Sequence, residues 1–202
     1  METGTQQVQP SLHSEKILLR PFRAADARPL FELINDRQIA EFTRTIPYPY
    51  PEPLALEWIG KHDELWTKGK SAIFAICDLC ADHEPKQRDT GATSPNEGPL
   101  VGAVGLEIDV ENENAELGYW IGRPYWNRGL CTLAAELIVD FGFQTLGLHK
   151  IYAHHVLRNP ASGRVLQKLG MHQEGILREH VKKWGRFEDI VVYGLVRPRE
   201  SS

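Results

Sequence analysis

The spacing of apolar residues changes period several times along the chain. Short runs rich in β-branched and aromatic residues, bounded by turn formers, predict seven strands. They are KILLRPF (16–22), SAIFAIC (71–77), LVGAVGLEI (100–108), AELGYWIG (115–122), HKIYAHHVL (149–157), GILREHVK (175–182) and EDIVVYGLV (188–196). Four stretches instead follow helical spacing. Residues 25–36 place Ala27, Leu30, Phe31 and Ile34 on one side, and residues 54–69 do the same with Leu54, Trp58, Ile59 and Leu65 before Gly69. From Leu130 the series Leu130, Leu133, Ala134, Leu137, Ile138 and Phe141 makes one apolar face, and Gly147 marks the end. Residues 159–171 carry their own punctuation: Asn159 as cap, Pro160 in the first turn and Gly170 at the exit.

Strands and helices in this order predict an α/β fold with a mixed central sheet of about seven strands flanked by about four helices. One domain over residues 15–197 accounts for them, with tails at 1–14 and 198–202. Two segments are expected to be irregular. TIPYPYPEP (45–53) carries four prolines, which exclude regular helix and central strand. Residues 79–99 are polar and rich in turn formers, and read as a mobile loop within a hairpin.

Composition narrows the class. The 202 residues are 42% hydrophobic and 25% charged, ordinary globular values, and the net charge of −4 disfavours nucleic acid or an anionic membrane as partner. No apolar run reaches spanning length, so a cytoplasmic protein is expected. Three cysteines suggest a reducing compartment without a disulfide framework. Cys77 and Cys80 have a metal-like spacing with His83 nearby, but no second pair completes a zinc site, and no metal is expected.

The most suggestive junction is PYWNRGLCTLA, where a strand passes into the helix that begins near Leu130. A helix start presents unpaired N–H groups and the positive end of the dipole; Gly129 permits close approach and Arg128 adds charge. A phosphate or pyrophosphate suits such a place. The Gly-Lys-Ser/Thr of a P-loop is absent, and so are the three spaced glycines of a dinucleotide fingerprint.

The chain resembles the GNAT superfamily of acetyl-CoA-dependent N-acyltransferases. The likeness is greatest to the branch containing Rim-type ribosomal-protein N-terminal acetyltransferases and spermidine acetyltransferases. The residues that carry it are ILLRPF, AELGYWIGRPYWNRGLCTLA and LHKIYAHHVLRNPASGRVLQKLGMHQEGILRE, within a span of about 15–197. The resemblance implies acetyl-CoA as co-substrate, its pantetheine arm along Tyr119, Trp120 and Ile121 and its pyrophosphate on Asn127, Arg128, Gly129, Leu130, Cys131 and Thr132. It also makes Asn159 a cofactor contact. Two positions depart from the usual phosphate loop, Trp126 and Cys131; Cys131 is small enough to keep the backbone approach, and Trp126 reads as a core aromatic.

Acyl transfer to an amine requires a neutral nucleophile, donors for the tetrahedral oxyanion and stabilisation of the departing thiolate. A backbone N–H of the Tyr119–Ile121 strand is available for the oxyanion. Many relatives use a tyrosine seven residues after the asparagine as acid; here Leu166 stands there, and Ser162, which matches the Rim-type serine, is the donor the resemblance implies. For the base, the resemblance implies Glu116 first and His154 second, with Glu179 a third candidate and water a further route. Strict alternation puts Glu116 on the face of Gly118 and Trp120, so a bulge is expected to re-aim it. The acceptor is a protein N-terminus or a small-molecule amine such as a polyamine or aminoglycoside, in a groove walled by Tyr48, Tyr50 and Trp184. The oligomeric state, a homodimer included, stays open. The competing reading, prompted by Leu166, is a non-catalytic acyl-CoA-binding or sensor module.

Overall fold

Strand pairing follows the alternation. In a computed structural model, which describes residues 8–81 and 97–198, eight strands form one sheet. They are β1 (Leu12–His13), β2 (Ile17–Arg20), β3 (Ser71–Asp78), β4 (Leu100–Asp109), β5 (Asn114–Ile121), β6 (Lys150–Val156), β7 (His172–Lys183) and β8 (Arg186–Val196). The order across the sheet is β1-β2-β3-β4-β5-β6-β8-β7, and the parallel pair is β5–β6. The strand beyond the expected seven is β1, which pairs with Leu18 and Leu19, while the amide of Gln9 donates to the Ile73 carbonyl at 2.9 Å. The ordered fold therefore starts ahead of residue 15. Most of the expected 79–99 loop, with His83, lies outside the described residues.

The helices are α1 (Ala27–Ile34), α2 (Arg37–Phe42), α3 (Glu52–Ile59), α4 (His62–Thr67), α5 (Leu130–Gln144) and α6 (Pro160–Lys168). Two differ from expectation. The predicted 54–69 helix is broken after Gly60, whose low helix propensity leaves α3 and α4 free to pack separately: Ile59 enters the core and His62 stacks edge-on against Trp58. Helix α2 has no sequence signal beyond Asp36, whose carboxylate accepts the Gln38 N–H at 2.8 Å, because a six-residue helix that buries Ile39 and Ala40 shows no periodicity.

Helices cover both faces of the sheet. One core joins Phe74, Leu106, Leu117 and Ile151 to Ile138 of α5 and Leu166 of α6; the other joins Ala75 and Ala103 to Leu30, Ile39, Ala55 and Ile59. Fully burying a leucine or phenylalanine is worth about 1.5–3 kcal/mol, so these two layers supply the main driving force. Cys77 is buried in β3, where desolvation pushes its thiol up to about 11, and Cys80 is exposed.

One charged pair is sealed inside. Arg20 and Asp26, each 1% exposed, form two parallel hydrogen bonds of 2.7 and 2.8 Å. Asp26 Oδ2 also accepts the Arg23 N–H at 2.8 Å, which ties the entry of α1 to β2. Removing Asp26 takes away the two parallel bonds and leaves the buried guanidinium with Glu97 alone, whose carboxylate lies 3.2 Å from Arg20 Nε. Asp26→Ala is therefore expected to lower the unfolding free energy by about 3–5 kcal/mol. Urea denaturation measures it, and a loss below about 1 kcal/mol would show that Glu97 alone suffices to hold Arg20.

Candidate active site

Strand β5 is paired along its whole length to β4, from Gly102↔Ile121 to Asp109↔Asn114, but to β6 only from Asn114↔Lys150 to Glu116↔Tyr152. Beyond that point β6 stays paired to β8 as far as Val156, so the two parallel strands part and a wedge opens between them. The Gly122 N–H bonds the Val101 carbonyl on the β4 side. By period two, the backbone groups of Leu117, Tyr119 and Ile121 then face the wedge. A Cβ built at Gly118 would meet nothing within 4 Å. The result is an unpaired strand edge inside a sheet, a template for an extended ligand carrying amides.

The phosphate-type junction sits at the mouth. Asn127 (φ 61) and Gly129 (φ 77) both adopt left-handed backbone, reversing the chain into α5. That conformation suits Gly and Asn and strains others. Helix α5 has no side-chain cap, and its first bonded donor is the Leu133 N–H to the Gly129 carbonyl. The N–H groups of Leu130, Cys131 and Thr132 are left as the orphan donors of the first turn. Burial drives the Cys131 thiol up to about 12, so it packs as a small apolar group. Arg128 is less free than its place suggests: its guanidinium lies 2.9 Å from the fully buried Asp78 carboxylate and over the Tyr125 ring. Trp126 is not a core aromatic. It is 37% exposed and donates its indole N–H to the Ile121 carbonyl at 2.7 Å, satisfying one open acceptor of the β5 edge.

On one face of the wedge stand Glu116 and His154. The β4–β5 register runs without a bulge, with Glu116 opposite Glu107, so no re-aiming occurs. The carboxylate looks out because β6 leaves the ladder beside it. His154, two residues beyond Tyr152 on the same face, brings Nδ1 within 3.3 Å of Glu116 Oε1; Arg44 Nη2 lies 3.5 Å from the same oxygen. Burial lowers the His154 pKa below its usual 6.5; Glu116 opposes that shift, while Arg44 and His180 add to it. The imidazole is therefore neutral at pH 7, and an Nδ1–H facing the carboxylate leaves Nε2 basic. The adjacent His155 points the other way, buried beneath Gly163 of α6 with Nδ1 2.8 Å from the Val156 carbonyl. Glu179 sits exposed on an irregular part of β7 with its N–H on Asp189, and among the described residues it shares no hydrogen bond or ion pair with Glu116 or His154.

On the opposite face, Tyr119 reaches α6. Its hydroxyl lies 2.9 Å from Ser162 Oγ and 3.2 Å from the Ser162 carbonyl. Asn159 caps that helix, accepting the Ser162 N–H at 3.4 Å. Leu166 is fully buried and contributes packing alone. Trp120 lies on the Glu116 face, packed against the α1–α3 core. Chemistry-bearing side chains thus stand on both faces of one open strand.

The two segments expected to wall the acceptor groove lie against each other. Lys183, near the β7–β8 turn, donates to the Thr43 and Ile46 carbonyls, both at 2.8 Å. That clamp holds Trp184 6.5 Å from Tyr48, both rings about half exposed. Tyr50, expected beside them, is buried in the core with its N–H on Asn35. Arg44, Asp78 and the Tyr119 side chain lacked any motif that could have singled them out. Only strand alternation, applied to Tyr119, carried a usable signal.

Comparison with known proteins places the chain in a family. The family model described as "Acetyltransferase (GNAT) domain" matches residues 16–172. The chain is similar to a spermidine N(1)-acetyltransferase of Escherichia coli (strain K12), 27% identical over 183 residues, covering 90% of this chain and 86% of that one. Among solved structures it is similar to a RimL ribosomal L7/L12 alpha-N-protein acetyltransferase in complex with coenzyme A (TM-score 0.79, 14% identity, covering 93% and 98% of the two chains). It is also similar to the microcin C7 self-immunity acetyltransferase MccE in complex with acetyl-CoA and AMP (TM-score 0.74, 19% identity, 91% and 93%). At those identities the two structures speak for the fold.

The Glu116–His154–Arg44 cluster predicts a titration order. By NMR, His154 is expected to titrate below 6.5, with Glu116→Gln lowering it further by removing the charge that favours imidazolium and Arg44→Ala raising it. An imidazole titration unchanged in both variants would show that the three groups are not coupled.

Proposed function

We propose, from the premise that this chain belongs to the GNAT acetyltransferase family, that it moves the acetyl group of acetyl-CoA to a primary amine by direct attack in a ternary complex. Acetyl-CoA is the family's co-substrate. The observation that carries the residue-level reading is the open edge of β5 with the uncapped start of α5 at its mouth. That arrangement fits a long ligand with peptide-like amides at one end and a diphosphate at the other.

In this reading the backbone of Tyr119 and Ile121, with Trp120 between them, lines the pantetheine arm. Asn127, Gly129, Leu130, Cys131 and Thr132 supply main-chain donors to the diphosphate, with Asn159 at the wedge's far side. Arg128 contributes by holding the loop to Asp78 rather than as a free cation. Glu116 draws in the acceptor ammonium, and the Glu116–His154 pair takes the proton that must leave before nitrogen can attack. Ser162 hydrogen-bonds the departing thiolate. The acceptor lies in the groove below Tyr48 and Trp184, as a protein N-terminus or a small molecule such as a polyamine or aminoglycoside.

Calorimetry with CoA and acetyl-CoA tests the first half; absence of heat with both sinks it. Gly129→Val, forced into φ 77, is expected to weaken CoA binding about tenfold or more. Intact-mass measurement of acetylation tests the second half, with a peptide bearing a free α-amine, spermidine and an aminoglycoside as acceptors. On whichever turns over, Glu116→Gln is expected to lower kcat by about 10²–10⁴ while leaving CoA affinity unchanged. Binding without turnover across the panel would instead support the sensor reading.

Neutral His154 sets an acid limb. Because its pKa is depressed below 6.5, activity is expected to fall as pH drops through that lowered value and to stay free of this loss above 6.5. A kcat/KM profile checks it, and an acid limb that survives unchanged in His154→Gln would exclude the assignment.

A further inference from the structure

The Tyr119–Ser162 contact has no part in the roles assigned so far. We propose that Tyr119 is a positioning residue for acyl transfer, its phenolic O–H orienting Ser162 so that the serine turns its own proton toward the departing thiolate. The inference rests on the reading of Ser162 given above and deepens it.

The geometry leaves two arrangements. A phenol has one proton, and here it faces two acceptors, Ser162 Oγ at 2.9 Å and the Ser162 carbonyl at 3.2 Å. If Tyr119 donates to the carbonyl, Ser162 Oγ–H points back at the phenol and is spent within the fold. If Tyr119 donates to Oγ, the serine proton is released into the wedge. A hydroxyl that accepts one hydrogen bond is a better donor of the next, so the second arrangement strengthens the bond Ser162 offers to an anion. Charge on sulfur selects that arrangement.

Three features favour this role over simple satisfaction of a buried hydroxyl. The Ser162 backbone is already held by Asn159, so tyrosine is not needed to place the helix turn. The phenol comes from the strand whose open edge lines the wedge, not from α6 itself. Leu166 is fully buried and carries no donor, so the side chain that brings a phenol to the first turn of α6 is Tyr119. Burial also raises the Tyr119 pKa well above its usual value, which keeps the group a donor and excludes its acting as an anion near neutral pH.

The step balances without oxidising or ionising either residue. The amine nitrogen forms the new C–N bond, the C–S bond breaks and its electron pair stays on sulfur, and the amine proton leaves on the Glu116 side. Tyr119 and Ser162 keep their protons throughout and act by hydrogen bonding.

The test reads the thiol rather than turnover. The thiol of bound CoA is titrated by its ultraviolet thiolate absorbance in the wild-type chain, Tyr119→Phe, Ser162→Ala and the double variant. Wild type is expected to acidify the bound thiol relative to free CoA. Tyr119→Phe, which keeps the ring packed, should lose about tenfold in its acid dissociation. The double variant should match Ser162→Ala, because tyrosine acts through serine. Equal CoA affinity by calorimetry shows that the variants are folded. A wild-type titration in Tyr119→Phe with a shifted one in Ser162→Ala overturns the proposal while sparing the serine. An unshifted Ser162→Ala overturns both, and failure of every protein to bind CoA brings down the function proposed above.

Discussion

An unpaired strand edge in the middle of a sheet is costly, and the organisation of this protein follows from holding one open. Beyond Glu116, β5 has its β4 ladder and, among the described residues, no strand paired on the other side, while β6 leans on β8. Buried amides left without partners cost about 1–3 kcal/mol each, so an opening of this length persists only where each strand is fixed from outside. The outer ladders do that for the strands. At the mouth, the Trp126 indole covers the Ile121 carbonyl and the Arg128–Asp78 pair fastens the turn into α5. What remains open is the stretch from Leu117 to the first turn of α5, where the amide groups stand ready for a ligand.

On the function proposed above, the wedge lets one strand serve two chemistries. Side chains alternate across a sheet, and in a closed sheet the two faces never share a reactant. Once β6 has left the ladder, a molecule lying in the gap is reachable from both. Glu116 and His154 approach from the face covered by α1–α3, and Tyr119 with Ser162 from the face covered by α5 and α6. Proton removal from the amine and stabilisation of the leaving group can therefore sit on opposite sides of the acyl carbon. The same separation keeps the Glu116 charge away from the place where a thiolate develops, which lowers the repulsion between them.

Much of this was legible in the chain and some was not, for physical reasons. The strands with clean alternation, the capped helix at Asn159 and the helix start at Leu130 all have local signals, and each lies where its signal put it. The break at Gly60 and the short α2 depend on how neighbours pack, so periodicity misjudged the first and missed the second. For the candidate site, the family resemblance pointed to Glu116, His154 and Ser162, but could not tell that the first two are 3.3 Å apart while the third faces the other way. That needs the register of two strands distant in sequence. The bulge expected at Glu116 is absent because the departing strand, not the carboxylate, makes the access. Arg128 and Tyr50 were misjudged for a related reason: a charge and an aromatic read as available were consumed by Asp78 and by the core.

On the same proposal, the acceptor side is held by cations, and this bears on what it would accept. Lys183 clamps the proline-rich segment through two carbonyls, and burial lowers its pKa, so its charge is spent on backbone oxygens. Arg158 lies over the Phe42 ring and ties Glu41 of α2 to Glu188 of β8 at 2.6 and 2.9 Å. Both clamps join the helical side of the groove to the β7–β8 hairpin. Arg44, by contrast, is half exposed and shares the Glu116 oxygen with His154 at a longer 3.5 Å, the loosest of these ion contacts. An incoming ammonium competes with Arg44 for that oxygen, and the arginine, on the segment that Lys183 anchors, can yield without releasing the wall. The groove is thus rigid where its shape is set and loose where a positive charge must enter, which matches an acceptor recognised first by its amine.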